Sequence, residues 1–394
     1  MRARAADEPH RVATPLELFF DLCFVVAVAQ AALPLHHDIA EDHIRHGVSS
    51  YLMVFFAIWW AWMNFTWFAS AYDCDDDVYR ITTLVQIAGA LVLAAGVGSA
   101  FEDGSFATIT VGYVVMRLAL VFQWLRAARN DPQRRVVALR YAAGITVIQV
   151  LWLARLALPE SSQVPAFLVL VVGELLIPVI AERAPGGPTT YHPHHIAERY
   201  GLFTIIVLGE SIASATVAIR TGLDEGDHLP ELIAVAVGGL VIVFALWWLY
   251  FDRSAQGLLT TLRSSLLWGY GHYVIFAATA AIGAGLGVVV DYETHHAHIS
   301  RAVSGYAVAV PVALFLVAVW FLHIRPVQSG PHVLMYPVAA VLVLVAPIGP
   351  APVPTIGGLL FALVALTMTV GRRRERSSPA GVGSRGWPTS GRST

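Results

Sequence analysis

Apolar residues lie along this chain in about a dozen long runs, each broken from the next by a short polar or proline-rich stretch. A bilayer's hydrocarbon core takes about 20 apolar residues of helix. The runs therefore predict membrane spans at 15–34, 48–70, 79–100, 104–125, 136–157, 164–181, 199–220, 230–251, 267–290, 301–322, 333–348 and 353–371. The last two are parted only by a turn crowded with Pro347, Pro350, Pro352 and Pro354. Long Val, Leu and Ala runs also occur in buried parallel strands, but strands average about 5–6 residues, far shorter than these.

Composition strengthens this reading. Of 394 residues, 57% are hydrophobic and 13% charged. A soluble globular chain carries about 25% charged residues, so there is too little polar surface here to wet two or three soluble domains. The mean hydropathy of +0.64 agrees. Every basic residue is arginine, which removes Schiff-base lysine chemistry and any P-loop lysine. Cys23 and Cys74 are the only cysteines and define no disulfide framework. The first run follows Arg2, Arg4, Asp7, Glu8 and Arg11 and lacks a small-residue cleavage site, so it is expected to be retained as the first span.

Arginine placement gives an expected orientation. With the N-terminus in the cytoplasm, the inner loops hold Arg126, Arg129, Arg134, Arg135, Arg183, Arg253, Arg263, Arg325 and the tail cluster Arg372, Arg373, Arg374 and Arg376. The outer loops hold little beyond Arg45 and Arg220. An even number of spans returns the C-terminus to the cytoplasm. Trp59, Trp60, Trp62, Trp67, Trp247, Trp248 and Tyr250 are candidate interfacial anchors. The tail after Ser377 is rich in Ser, Gly and Pro and is expected to be disordered.

The second half of the chain echoes the first. Glu17–Gln30 aligns with Glu198–Ser211, Trp59–Asn64 with Trp247–Asp252, and Ala95–Gly98 with Ala284–Gly287, at offsets of 181, 188 and 189. Three matches in order at nearly one offset point to a duplication. The expected fold is thus an all-α polytopic integral membrane protein of about 12 transmembrane helices, arranged as two similar six-helix halves. Six spans per half insert both halves the same way up, a parallel repeat. The expected divisions are a cytoplasmic segment 1–14, a first half 15–181, a connecting loop 182–198, a second half 199–371 and a basic tail 372–394.

The matched segments also carry a resemblance. Thr14-Pro-Leu-Glu-Leu-Phe-Phe-Asp21-Leu-Cys-Phe-Val, followed by Gln30, resembles the opening of the bacterial low temperature requirement protein A family. His195-Ile-Ala-Glu198-Arg199-Tyr-Gly201 running on to Gly209-Glu210-Ser211 is similar to its second hallmark. Trp248–Asp252 and Trp268–His272 are similar to later segments. Cys23 departs from the aliphatic residue expected there. The likeness extends from about residue 10 to 370. It implies a multi-spanning bacterial membrane protein linked to growth in the cold, and it assigns no reaction.

Charges inside a membrane are costly and mark functional candidates. Glu17 and Asp21 lie four apart, hence on one helix face near the inner surface. Two such carboxylates repel unless one is protonated or a cation sits between them. Arg80, opening the third span on that side, is the expected counter-charge, with Arg140 next. Glu198 aligns with Glu17. Glu210 is twelve residues on, about 18 Å deeper at 1.5 Å per residue, and is the strongest single candidate. Gly209 beside it would leave room for a close helix neighbour, and Ser211 adds a donor. Arg117 and Glu174 could pair with each other as a structural salt bridge. Asp252, at the inner end of the eighth span, and His272, early in the ninth, could form a proton shuttle, although a satisfied core histidine fits His272 better.

Other polar groups suggest blander roles. Asp73-Cys-Asp75-Asp76-Asp77 lacks the Gly and distal Glu of a calcium loop and reads as a solvated turn or a cap on the third span. His36, His37, His43, His46, His295, His296 and His298 cluster in outer loops that could meet, while His192, His194 and His195 fall in the inner loop before the seventh span. No HExxH, GxGxxG, P-loop, nucleophile elbow or CxxC pair occurs. Neither a metal nor a cofactor is expected, and no basic groove for nucleic acid is present. Nothing in the sequence fixes an oligomeric state.

The expected partners are the lipid bilayer and an unidentified small solute or ion. The leading expectation is movement of that solute across a bacterial inner membrane, through a site where Glu17, Asp21, Arg80, Glu198, Glu210, Ser211, Asp252 and His272 converge between the halves. A cation channel is one alternative, and an intramembrane or lipid-modifying enzyme is another. A non-catalytic sensor is the third.

Overall fold

The computed structural model describes residues 1, 3, 4, 8, 11–224, 228–253 and 255–377. Among these there is no strand, and thirteen α-helices follow one another. They are α1 (Pro15–Ala40), α2 (Ile44–Tyr72), α3 (Asp77–Ala95), α4 (Val97–Glu102), α5 (Ala107–Asn130), α6 (Arg135–Arg155), α7 (Glu160–Ala181), α8 (Pro193–Asp224), α9 (Leu229–Phe251), α10 (Leu262–Glu293), α11 (Arg301–Val319), α12 (Met335–Val345) and α13 (Pro352–Ser377). All but the short α4 are long and apolar enough to cross a membrane, once the wide π-turn after α11 and the tight 3-10 turns around α12 are included. The chain is an all-α, multi-pass membrane protein. The expected disorder of the tail beyond Ser377 lies outside the described residues; α13 itself runs past the expected end at 371.

Local chemistry sets the helix ends. The Thr14 hydroxyl accepts from the Glu17 amide and the Glu17 carboxylate accepts from the Thr14 amide, a capping box, with Pro15 preset for the first turn. Asp76 caps α3 by accepting from the Tyr79 amide at 2.7 Å, as expected of the acidic turn. The run expected at 79–100 is split at Gly96, where an added Cβ would lie 2.7 Å from the Ile109 backbone nitrogen. The largest boundary correction is α8. Pro193 starts it six residues before the expected span, with the His192 ring accepting from the His195 amide. His195 and Glu198 are therefore helical residues, not loop residues.

Two helices form the centre. In α2 and in α10, 83% of the apolar window is buried inside the protein, against 33% in α7. The outer helices turn stripes such as Leu168, Val172 and Leu176 outward, which only lipid makes inexpensive. α10 packs on α8, α11 and α1, and a glycine marks each approach. A Cβ at Gly283 would meet Ser211, at Gly285 the Ala307 carbonyl, and at Gly287 the His36 ring. α1 also packs on α2, α3 and α8. Trp59, Trp60 and Trp62 are fully buried in α2 rather than at an interface, because their rings fill the centre and the Trp60 and Trp62 indole N–H groups serve buried acids. Trp247 and Trp248 do face outward.

Candidate functional site

Where α1 begins, its acids meet α8 in a two-rung ladder. His195 Nε2 lies 3.2 Å from Glu17 Oε1. The Arg199 guanidinium engages Asp21 through two nitrogens, at 2.5 and 3.2 Å, and reaches Glu17 at 3.1 Å. Each rung joins residues 178 apart, so α1 and α8 run in the same direction. The Trp62 indole donates to Asp21 at 2.6 Å. Arg11 adds a second guanidinium 3.7 Å from Glu17 and 3.6 Å from Asp73. Glu17, Asp21, His195 and Arg199 are all fully buried. An uncompensated charge could not stay there; matched charges with added hydrogen bonds can.

Arg80 is not the counter-charge. It lies on the exposed side of α3 and forms a fork with Asp75 at 2.7 and 2.8 Å, the nearest carboxylate in its own capping loop. Arg140 donates instead to the Ile180 carbonyl. Two more acids of the turn are also paired: Asp76 accepts from Arg126 at 2.6 Å, and Asp73 faces Arg4 and Arg11. The guanidinium of Arg80 holds the Asp75 carboxyl below its usual range. Burial pushes Asp73 above it, with Glu17 adding to the push and Arg11 opposing it. Glu198 stays apart from the ladder and accepts from the Ala13 amide at 3.2 Å. Described residues before α1 reach this end: the Arg4 amide donates to the Ala71 carbonyl and the His192 ring meets the Glu8 carbonyl.

Glu174 forms a separate buried hub. It accepts from Arg117 and Trp60 at 2.8 Å, from Tyr113 at 2.7 Å, and from Gln149 and Trp152 at 3.2 Å. Donors from α2, α5 and α6 thus converge on one carboxylate of α7. The expected Arg117–Glu174 pair is present. It ties four of the first six spans together.

His272 and Asp252 do not meet. His272 is buried in α10, with Nδ1 2.7 Å from the Trp268 carbonyl and Nε2 3.1 Å from the Tyr250 hydroxyl. Asp252 ends α9 and faces its neighbour Arg253 at 3.5 Å. The ring of His323 packs against that of His272, with centroids 5.4 Å apart. His272 is a core histidine with both nitrogens engaged.

Glu210 stands in a different setting. α1, α8 and α10 part toward the end opposite Thr14 and leave a cleft of about 530 Å³. Glu210 lines it with Gln30, His36, Ser214, Gly283 and Asp291. The Glu210 carboxylate accepts from Ser214 at 3.0 Å and forms no ion pair among the described residues. At the rim, His36 of α1 lies 2.7 Å from Asp291 of α10. Ser211 does not face the cleft; its buried hydroxyl donates to the Val207 and Thr279 carbonyls. Nor does Gly209 admit a close helix, since nothing lies within 4 Å of a Cβ built there. The two histidine-bearing loops do meet: the His298 amide donates to the Ala40 carbonyl and its ring reaches Glu41. No group of three metal-ligating side chains forms among the described residues.

The model of the bacterial low temperature requirement A protein family matches residues 12–370, nearly the whole chain. The chain belongs to that family. The match spans the α1 acids, the α8 ladder and the Glu210 cleft together. A protein of Rhizobium meliloti (strain 1021), described as uncharacterized, is 25% identical over 295 residues, 70% of each chain.

The expected candidates thus divide among separate places. Glu17 and Asp21 join the ladder, while Glu210 lines the cleft. Arg80, Glu198, Ser211, Asp252 and His272 belong to neither the cleft nor the ladder. Sequence reasoning missed Arg199, His195, Arg11 and Trp62 as partners of the α1 acids, and the His36–Asp291 pair. One signal was present: acids four apart in the first motif match His195 and Arg199 four apart in the second.

Proposed function

We propose that this low temperature requirement A family member moves a small solute or ion across a bacterial inner membrane, along the seam where α1 meets α8 and α10. The single observation that carries the reading is Glu210, an acid in a membrane-length helix that faces an open cleft and lacks a cationic partner among the described residues. An intramembrane acid is retained at a cost; this one is placed where a visitor can reach it.

The ladder supplies the complementary part. The same two helices that part at Glu210 are clamped at their other end by Arg199, His195, Glu17 and Asp21. A site open to one side and sealed on the other is one state of an alternating-access cycle. The sealing ion pairs join the proposed halves 15–181 and 199–371, and the shared direction of α1 and α8 supports a parallel duplication. With both termini in the cytoplasm, the cleft opens outward and the ladder is the inner gate.

The test uses the purified full chain in lipid vesicles, incubated with a bacterial small-molecule extract, the vesicle contents being read by mass spectrometry. At least one solute should accumulate with the wild-type protein. It should fall to the protein-free level with Glu210→Gln of unchanged thermal stability. Equal accumulation by the two proteins would overturn the role given to Glu210.

A further inference from the structure

The lining of the Glu210 cleft also restricts what kind of solute it accepts. Nineteen residues line it, among them two carboxylates, two histidines and no arginine. The lining therefore disfavours anions, since an anion there would lose its hydration beside Glu210 and Asp291 with no arginine of the lining to receive it. Bare metal ions are also poorly served. Divalent cations take several oxygen or nitrogen ligands at once, and no such group of three occurs among the described residues. A sugar would need many hydrogen-bonding partners, yet the walls are mostly alanine, valine and glycine, with Ala32, Ala213 and Val217 between the two acids.

We propose that the cleft binds a compact organic cation, a protonated amine or quaternary ammonium with a small apolar body. This deepens the transport reading and rests on it only for passage, because binding alone tests the ligand class. The volume of about 530 Å³ falls within the range of small-molecule pockets, about 300–1,000 Å³.

The acids lie at two depths. Gly283 packs on Ser211, so Glu210 is level with the Gly283 turn of α10. Asp291 lies eight residues farther along α10, about 12 Å nearer the mouth at 1.5 Å per residue. An entering cation passes Asp291, whose position His36 fixes, and comes to rest against Glu210 with its alkyl groups on the alanine wall. Gly287 keeps α1 close enough for the rim pair, since a Cβ there would fall 2.8 Å from the His36 ring.

Binding is measured on the full chain in detergent by thermal stabilisation and by equilibrium dialysis. The probes are tetramethylammonium, tetraethylammonium and propylammonium, with benzoate, sorbitol and sodium chloride as controls. At least one ammonium should stabilise the protein while the controls do not. Glu210→Gln should weaken that ligand at least tenfold, and Asp291→Asn should weaken it less. Ala213→Leu narrows the cleft without changing charge. It should shift preference toward the smaller ammonium ions, which keeps the proposal testable should Glu210→Gln misfold.

Stabilisation by benzoate or sorbitol and not by any ammonium would overturn the proposal, as would ammonium binding indifferent to both Glu210→Gln and Ala213→Leu. Vesicle uptake of radiolabelled tetraethylammonium separates the two readings. Binding without flux overturns transport and leaves the ligand class standing. Flux of some other solute with no ammonium binding does the reverse.

Discussion

Arg199 is surrounded by the groups that need it. It lies between Glu17 and Asp21, fully buried, with Trp62 taking part of the same carboxylate. Arg199→Met would leave two carboxylates in hydrocarbon with only His195 and Arg11 nearby. Breaking a buried ion pair in this way costs about 3–5 kcal/mol, and thermal unfolding in detergent should show a correspondingly large loss. Adding Asp21→Asn to Arg199→Met should recover part of it. Glu174→Leu should be comparably damaging because it strands Arg117 and frees four other donors, whereas Glu174→Gln should cost less by keeping one acceptor oxygen.

What the sequence revealed at this scale was the demand for a cation, not its supplier. Two acids four apart on a membrane helix must be neutralised wherever they are. Which arginine does it depends on the side each helix presents. Arg80 is close in span order and faces out; Arg199 is 178 residues from Asp21 and faces in. Glu210 was legible for the opposite reason, since its depth alone set it apart.

At the scale of helices, glycines separate close contacts from open surface. A Cβ at Gly112 would fall 2.4 Å from the Leu93 nitrogen and 2.5 Å from the Gly89 carbonyl, backbone atoms that cannot step aside. Gly112→Val should therefore separate α3 from α5 and lower the unfolding temperature markedly. Gly209→Ala meets nothing within 4 Å. It should be neutral or stabilising by about 0.5–1 kcal/mol through helix propensity, a contrast that the same melting experiment reads.

The α7–α8 connection offers a pH test. Glu182 accepts from the Thr189 amide and hydroxyl and from Tyr141, yet burial still pushes its carboxyl above the ordinary range. A raised folded-state value means that the stabilising contribution is complete below the unfolded value and is lost as pH rises through the folded one. Stability should accordingly fall across that window, and Glu182→Gln should flatten the fall.

Most element positions were readable because a lipid-spanning helix must be long and apolar. The boundaries that shifted have local causes: Gly96 splits one run, and Pro193 with His192 starts α8 early. The buried tryptophans of α2 could not be placed by composition, since an interfacial belt and a central aromatic helix use the same residues.

Across the whole molecule, intramembrane charge is of two kinds. The ladder and the Glu174 hub hold helices together, and Glu210 faces a cleft between them. Cysteine accessibility tests this most directly. With Cys23 and Cys74 replaced by serine, Ala213→Cys is placed in the cleft wall, and the protein is oriented in vesicles. A membrane-impermeant maleimide is then applied from either side. The wild-type ladder should limit labelling to the side at which α1 and α2 are joined. Loosening the ladder with Asp21→Asn should admit label from the side that carries Thr14. Labelling that stays on one side whatever the state of the ladder would contradict a gated path through this seam.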